Sequence, residues 1–137
     1  MTSSILSATC HCGAVHVQIA RAPDYLNECN CSLCDSHGVW WGYFDPPDVT
    51  VTGETKVYQR IDRDDPAVSL HFCGTCGCTT HWTLLPAFLE KVGEVKCGVN
   101  MRLFAREVLA GVELRFPDGR GWDGLGQWGF VREAELL

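Results

Sequence analysis

Apolar residues along this chain alternate with polar ones over short stretches instead of recurring every three or four positions. Over residues 14–20, Val15, Val17 and Ile19 fall on one face and His16 and Gln18 on the other, the period-two pattern of a half-buried strand. A short aromatic strand is predicted over residues 39–44, ended by Pro46 and Pro47. Further strands are predicted over residues 49–52, 56–61, 67–72 and 78–84, with turns at Gly53-Glu54 and over residues 62–66. Residues 94–99 and 112–116 supply two more. Helical signals are few. Ser32 can cap a turn over residues 33–37 that stops at Gly38, and residues 104–110 can form a short helix ending at Gly111. Many short strands, fourteen glycines and few helices predict a small, mainly β domain with few short helices.

A length of 137 residues predicts one domain, residues 1–137. Such a chain can bury a core, yet is small enough for a structural metal to matter. The metal has obvious ligands. Seven of the nine cysteines fall into three clusters: Cys10-His11-Cys12, Cys29-Asn30-Cys31-Ser32-Leu33-Cys34 and Cys73-Gly74-Thr75-Cys76. One or two residues between thiolates is the spacing of zinc ligands. A disulfide between near neighbours such as Cys10 and Cys12 conflicts with the Cα separation of about 4.4–6.8 Å and the matched Cβ vectors that a bridge requires.

Cys73-x-x-Cys76-Gly77 reads as a zinc knuckle, a tight turn in which Gly74 and Gly77 permit positive φ and the backbone N–H groups point at the sulfurs. Cys10-x-Cys12-Gly13 supplies a second pair. Together Cys10, Cys12, Cys73 and Cys76 complete a four-cysteine tetrahedron, the closed form of a structural zinc site. Cys29, Cys31 and Cys34 offer only three thiolates. They form either a zinc site with one open position, as catalytic zinc sites have, or a second structural site completed by His37, His71, His81, Cys78 or Cys97. A soft ion on three thiolates suits another thiol as its guest, so the open alternative is a site that presents a small thiolate to an electrophile.

These three clusters, in this order and spacing, resemble the glutathione-dependent formaldehyde-activating enzyme family, which also includes centromere protein V. The resemblance runs from residue 10 to about residue 122 and includes Trp41-Gly42-Tyr43, Thr80-His81-Trp82 and Asn100-Met101-Arg102. It implies a β-tent fold, a structural zinc on four cysteines and a second zinc on three. It also implies a carbon–sulfur lyase activity that joins glutathione and formaldehyde, or the reverse. Two positions depart from the family pattern: Asp35 stands where a basic residue is common, and Cys78 where Ser or Thr is common. With the second zinc as the reactive one, Cys29, Cys31 and Cys34 are the candidate catalytic residues.

Other residues suggest substrate contacts. Arg102 can clamp a carboxylate, His81 can act as acid, base or ligand, and Trp41 can wall a pocket while its neighbour Trp40 faces the core. Trp82, Trp122 and Trp128 read as core or rim residues, and the turn Asp62-Arg63-Asp64-Asp65 as plain surface.

Charge narrows the partners. The net charge is −6, and two zinc ions on seven thiolates take it to roughly −9. An acidic surface repels phosphate backbones and anionic lipid, so nucleic acid and membranes are not expected partners; a small thiol and a small aldehyde are. No apolar run approaches the length of a membrane span, no signal peptide is evident, and unpaired thiols in this number predict the cytoplasm. The alternative function is a non-catalytic zinc module that binds a protein partner or carries thiols or metal.

Overall fold

The alternation at Val15, Val17 and Ile19 builds the centre of the smaller of two sheets. The computed structural model describes residues 5–93, 95–122 and 127–137. In chain order the first six strands are β1 (Leu6–Thr9), β2 (His16–Ile19), β3 (Tyr25–Asn27), β4 (Trp41–Phe44), β5 (Val49–Thr52) and β6 (Thr55–Tyr58). They are followed by β7 (Val68–Cys73), β8 (Thr79–Leu84), β9 (Cys97–Asn100), β10 (Glu113–Pro117) and β11 (Phe130–Leu136). Two helices interrupt them, α1 (Ser32–His37) and α2 (Pro86–Val92). The chain is mainly β, as predicted.

One sheet has three strands in the order β1-β2-β5. The other has eight in the order β11-β10-β3-β4-β9-β8-β7-β6, antiparallel except for the β10–β3 pair. The main core lies between the sheets. Val17 and Ile19 from the small sheet meet Leu26, Phe44, Val99, Leu114 and Phe116 from the large one. Each is essentially sealed from solvent; burying one such side chain contributes about 1.5–3 kcal/mol.

Several boundaries differ from the sequence reading, each for a local reason. The α1 cap is Cys31 and not Ser32, because the Cys31 sulfur accepts the Cys34 N–H. The helix stops at Gly38, whose φ of 61° closes it. In place of a helix over residues 104–110 there are two single 3₁₀ turns, Met101–Leu103 and Arg106–Leu109. The Asn100 side chain caps the first by accepting the Arg102 N–H at 3.2 Å, and Phe104 and Leu109 turn into the core. The strand predicted over residues 56–61 ends at Tyr58. The one predicted from Glu94 begins at Cys97, and Glu94 itself lies outside the described residues.

The sequence reading missed β1, β3, α2 and β11. Three-residue β3 is too short for a period to register. Every residue of β11 is classed as exposed, so no apolar alternation marks it. Helix α2 had a usable signal, Pro86 in its first turn.

Candidate metal centre

The first cysteine group joins the two sheets. Cys10 and Cys12 sit in the turn after β1 of the small sheet, while Cys73 ends β7 of the large sheet and Cys76 lies in the turn to β8. The four sulfurs lie within 4.8 Å of one another. Cys10 and Cys12 sulfurs are 3.7 Å apart, and Cys12 and Cys73 sulfurs 3.6 Å. A tetrahedron with Zn–S arms of about 2.3 Å has edges of about 3.8 Å, so this donor set fits zinc.

The turns around these cysteines supply donors to the sulfurs. The Val15 N–H reaches Cys10 at 3.3 Å, and the Thr75 and Cys76 N–H groups reach Cys73 at 3.4 and 3.5 Å. Backbone N–H groups of Cys78 and Cys12 hold the Cys76 thiol down to about 5, which favours the thiolate a metal needs. Gly13 and Gly77 take φ of 84° and 83°, which lets the chain reverse directly after each ligand pair. Gly74, expected to share this role, is not at positive φ; it lies against the Lys56 side chain instead.

The second group is Cys29, Cys31 and Cys34, with their sulfurs within 4.8 Å of one another. Cys29 follows β3, Cys31 caps α1 and Cys34 lies in its first turn. A six-residue helix is too short to persist alone; here its cap and its first turn both carry sulfurs of the group. The N–H groups of Cys31 and Cys34 each point at the preceding sulfur, at 3.4 Å. Hydrogen bonds from the Cys29 and Cys34 thiols, helped by the nearby Arg60 charge, hold Cys31 well below the usual thiol range. The same hydrogen bonds push Cys29 and Cys34 up. Three sulfurs this close to one another are a donor set that could hold a metal ion.

Among the described residues no fourth Cys, His, Asp or Glu joins this group. His37 bonds the Leu33 carbonyl on the exposed face of α1. His71 and His81 stack on each other with centroids 4.1 Å apart, Cys78 packs beside the first group, and Cys97 bonds the Phe44 carbonyl.

Trp40 and Trp41 face opposite sides, as adjacent strand residues must. Trp40 belongs to the main core. Trp41 packs with Leu70 beside α1, and its indole N–H donates to the Cys34 sulfur at 3.3 Å. It walls a cavity of about 290 Å³ that opens onto the three cysteines and is also lined by Tyr43, Trp82, Trp122 and Trp128. Among the described residues, Arg60 and Arg63 are the lining side chains of Asp, Glu, Lys or Arg type. Burial pushes the Tyr43 phenol above its usual range, so it stays protonated. Asn27 donates to the Tyr43 oxygen at 2.9 Å, which leaves the phenolic proton for another acceptor.

Arg102 and His81 are not brought to this cavity. Arg102 lies on the other face of β4, 4.2 Å over the Trp40 ring and 3.4 Å from Glu28. His81 lines a separate cavity with Thr83 and Lys96. Both sites follow from strand alternation and pairing register, which motif spacing does not encode.

Four contributors were missed in the sequence. Arg60 is 12% exposed, held by Asp62 at 2.7 and 2.9 Å and by Ser32 at 2.9 Å, and faces Cys31. Arg63 belongs to the turn read as plain surface, and Tyr43 was noted only as part of a motif. Gly119 packs directly on the Cys29 sulfur in a loop that clasps Asn30. Asn30 donates to Asp118 and accepts from the Arg120 N–H, both at 2.9 Å. Arg120 also reaches Asp35 at 3.5 Å, so the acidic departure at residue 35 is countered locally.

Comparison with known proteins agrees with the cysteine geometry. Residues 5–108 match the family described as glutathione-dependent formaldehyde-activating enzyme. A Halomonas elongata protein named after the same family is 32% identical in an alignment of 97 positions that covers 64% of this chain and 61% of that protein; the chain thus spans about three fifths of the length of that curated relative. A crystal structure of a Rhodobacter sphaeroides protein superposes with a TM-score of 0.57 at 26% identity, covering 72% of this chain and 87% of the other. With most of its length matched, this chain belongs to the glutathione-dependent formaldehyde-activating enzyme family.

Proposed function

We propose that the protein adds a thiol to formaldehyde or another small aldehyde, or reverses that addition, at the group formed by Cys29, Cys31 and Cys34. Glutathione is the thiol that the family name supplies. The observation that carries this reading is a ligand set of three sulfurs, within 4.8 Å of one another and open to a cavity, beside a separate set of four. Cys10, Cys12, Cys73 and Cys76 would hold a structural zinc, and Cys29, Cys31 and Cys34 a second ion with one open position. When bound, zinc there supplies a positive centre that favours the thiolate form of a sulfur ligand. The reaction is a carbon–sulfur lyase reaction in the sense of its reverse, and the thiol-rich chain is placed in the cytoplasm.

The protein groups have definable tasks in this reading. In the addition, the thiol gives up its S–H proton, the sulfur forms a bond to the carbonyl carbon, the C=O π bond breaks, and the oxygen takes a proton from Tyr43, which the proton released by the thiol replaces through solvent. Arg60 stands beside Cys31 and offsets negative charge at the cluster. The Trp41 N–H fixes the Cys34 sulfur. Tyr43 offers its proton to the carbonyl oxygen as negative charge develops there. The aromatic walls exclude water, which competes with the thiol for the aldehyde. Because the addition is easy unaided, most of the gain comes from holding the partners together.

Native mass spectrometry of zinc per chain, run with and without thiols, tests the proposal. Two zincs with a bound thiol that is lost in Cys31→Ser is the expected result. A single zinc, or two zincs and no uptake of either glutathione or a small apolar thiol, overturns it; the latter result fits the non-catalytic module.

A further inference from the structure

A thiol whose sulfur meets Cys29, Cys31 and Cys34 must lay its body in the cavity above them, and that cavity has a definite chemistry. Its walls are Trp41, Tyr43, Trp82, Phe88, Trp122 and Trp128, with aliphatic side chains between them. No Asp, Glu, Ser, Thr, Asn or Gln is among its described lining residues. A peptide thiol brings an ammonium and two amide groups, and each buried polar group left without a partner costs about 1–3 kcal/mol. Such a wall suits a flat apolar body. An apolar cavity of about 150 Å³ takes one benzene ring, so the roughly 290 Å³ here has room for a ring with substituents.

Apart from the three cysteines, the charged side chains among the described lining residues are both cations. Arg60 is occupied by Asp62 and Ser32. Arg63 makes no ion pair or hydrogen bond among the described residues and lines the same cavity. An unpaired guanidinium at the edge of an aromatic cavity is a receptor for a carboxylate. Of the acids in its turn, Asp62 is committed to Arg60, Asp65 has a partner of its own, and the exposed Asp64 forms no ion pair with Arg63.

The geometry points to a thiol with an aromatic or similarly compact apolar body and a single carboxylate, not a peptide thiol, as the ligand of this cavity. The sulfur's placement rests on the thiol-handling reading above; the assignment of the body rests on the cavity walls and Arg63 alone. Arg63 is then a specificity residue, and the clustered tryptophans are the platform on which the ring lies.

Isothermal titration calorimetry of the zinc-loaded protein with 2-mercaptobenzoate, thiophenol, glutathione and 2-methylbenzoate tests this. The expected order places 2-mercaptobenzoate about tenfold or more tighter than glutathione and about fivefold tighter than thiophenol, the latter ratio falling to about one in Arg63→Gln. Arg63 is exposed, so this variant keeps its fold. Glutathione binding as tightly as 2-mercaptobenzoate overturns the assignment of the body, and an unchanged acid-to-thiophenol ratio in Arg63→Gln overturns the role of Arg63. If 2-methylbenzoate binds as tightly as 2-mercaptobenzoate, the body assignment stands and the thiol-handling reading falls.

Discussion

Gly119 lies so close to Cys29 that a Cβ at residue 119 would collide with the Cys29 sulfur. Residue 119 lies beyond the stretch that matches the family, which ends at 108, so a segment outside the matched region fixes one of the candidate ligands. The loop is held by Asn30, which is flanked by Cys29 and Cys31 and bonds Asp118 and the Arg120 N–H. Gly119→Ala is therefore expected to displace Cys29 and lower zinc content by about one ion per chain, with the first group still loaded. Zinc analysis after gel filtration checks this. Retention of all zinc in a folded Gly119→Ala variant would show that the contact does not constrain the ligand.

The two cysteine groups should differ in what they support. The first bridges the ends of strands of separate sheets, β1 and β7, with Cys12 and Cys73 61 positions apart in the chain. Structural zinc contributes about 10–16 kcal/mol in small domains, as much as the whole stability of about 5–15 kcal/mol of a typical one. Cys76→Ser should thus abolish cooperative thermal unfolding, while Cys34→Ser leaves a folded protein. Equal collapse of both variants in circular dichroism melts would refute the division of roles.

Tyr43 tests the proton-donor role. Tyr43→Phe keeps the ring, which tilts against Tyr25 and Trp82, and removes only the hydroxyl. Turnover should fall about a hundredfold, with KM little changed. A variant with native kcat would exclude the phenol from the chemistry.

Acid should loosen the stacked histidines. His81 is 8% exposed, and burial, with the His71 charge second, lowers it from 6.5 to about 4. Burial also lowers His71. A histidine depressed in the folded state binds its proton more readily when unfolded. Its contribution is therefore present in full above about pH 6.5 and is lost as pH falls toward 4. The full effect at His81 is about 3 kcal/mol. Urea midpoints measured from pH 7 to 4 for the native chain and for His81→Asn isolate this term, because acid release of zinc is common to both. Parallel curves would mean that His81 does not titrate in this way.

Much of the candidate site could be read directly from the chain. The clusters at 10–12, 29–34 and 73–76 mark the two candidate donor sets that the structure brings together, because metal coordination operates at spacings of a few residues, which sequence records directly. The alternation at Val15, Val17 and Ile19 likewise specifies a strand and its buried face, and the adjacency of Trp40 and Trp41 specifies that they part. These are short-range constraints, set by the period of a strand or the reach of a side chain.

What the tertiary structure alone decided is long-range. Arg60 comes from just past the end of β6, where a strand was expected, Arg63 from a turn that looks like ordinary surface, Gly119 from a loop some ninety residues past Cys29, and Trp122 and Trp128 from beyond the last motif. Arg102 and His81 carry motif residues yet end on other faces, because strand pairing turns each side chain by register: Trp41 opposite Asn100, and His81 opposite Val99. The cysteine spacings suggest a metal ion of zinc type, since coordination is local. The walls of the cavity beside Cys29, Cys31 and Cys34 are assembled from distant strands and loops, and only packing brings those together.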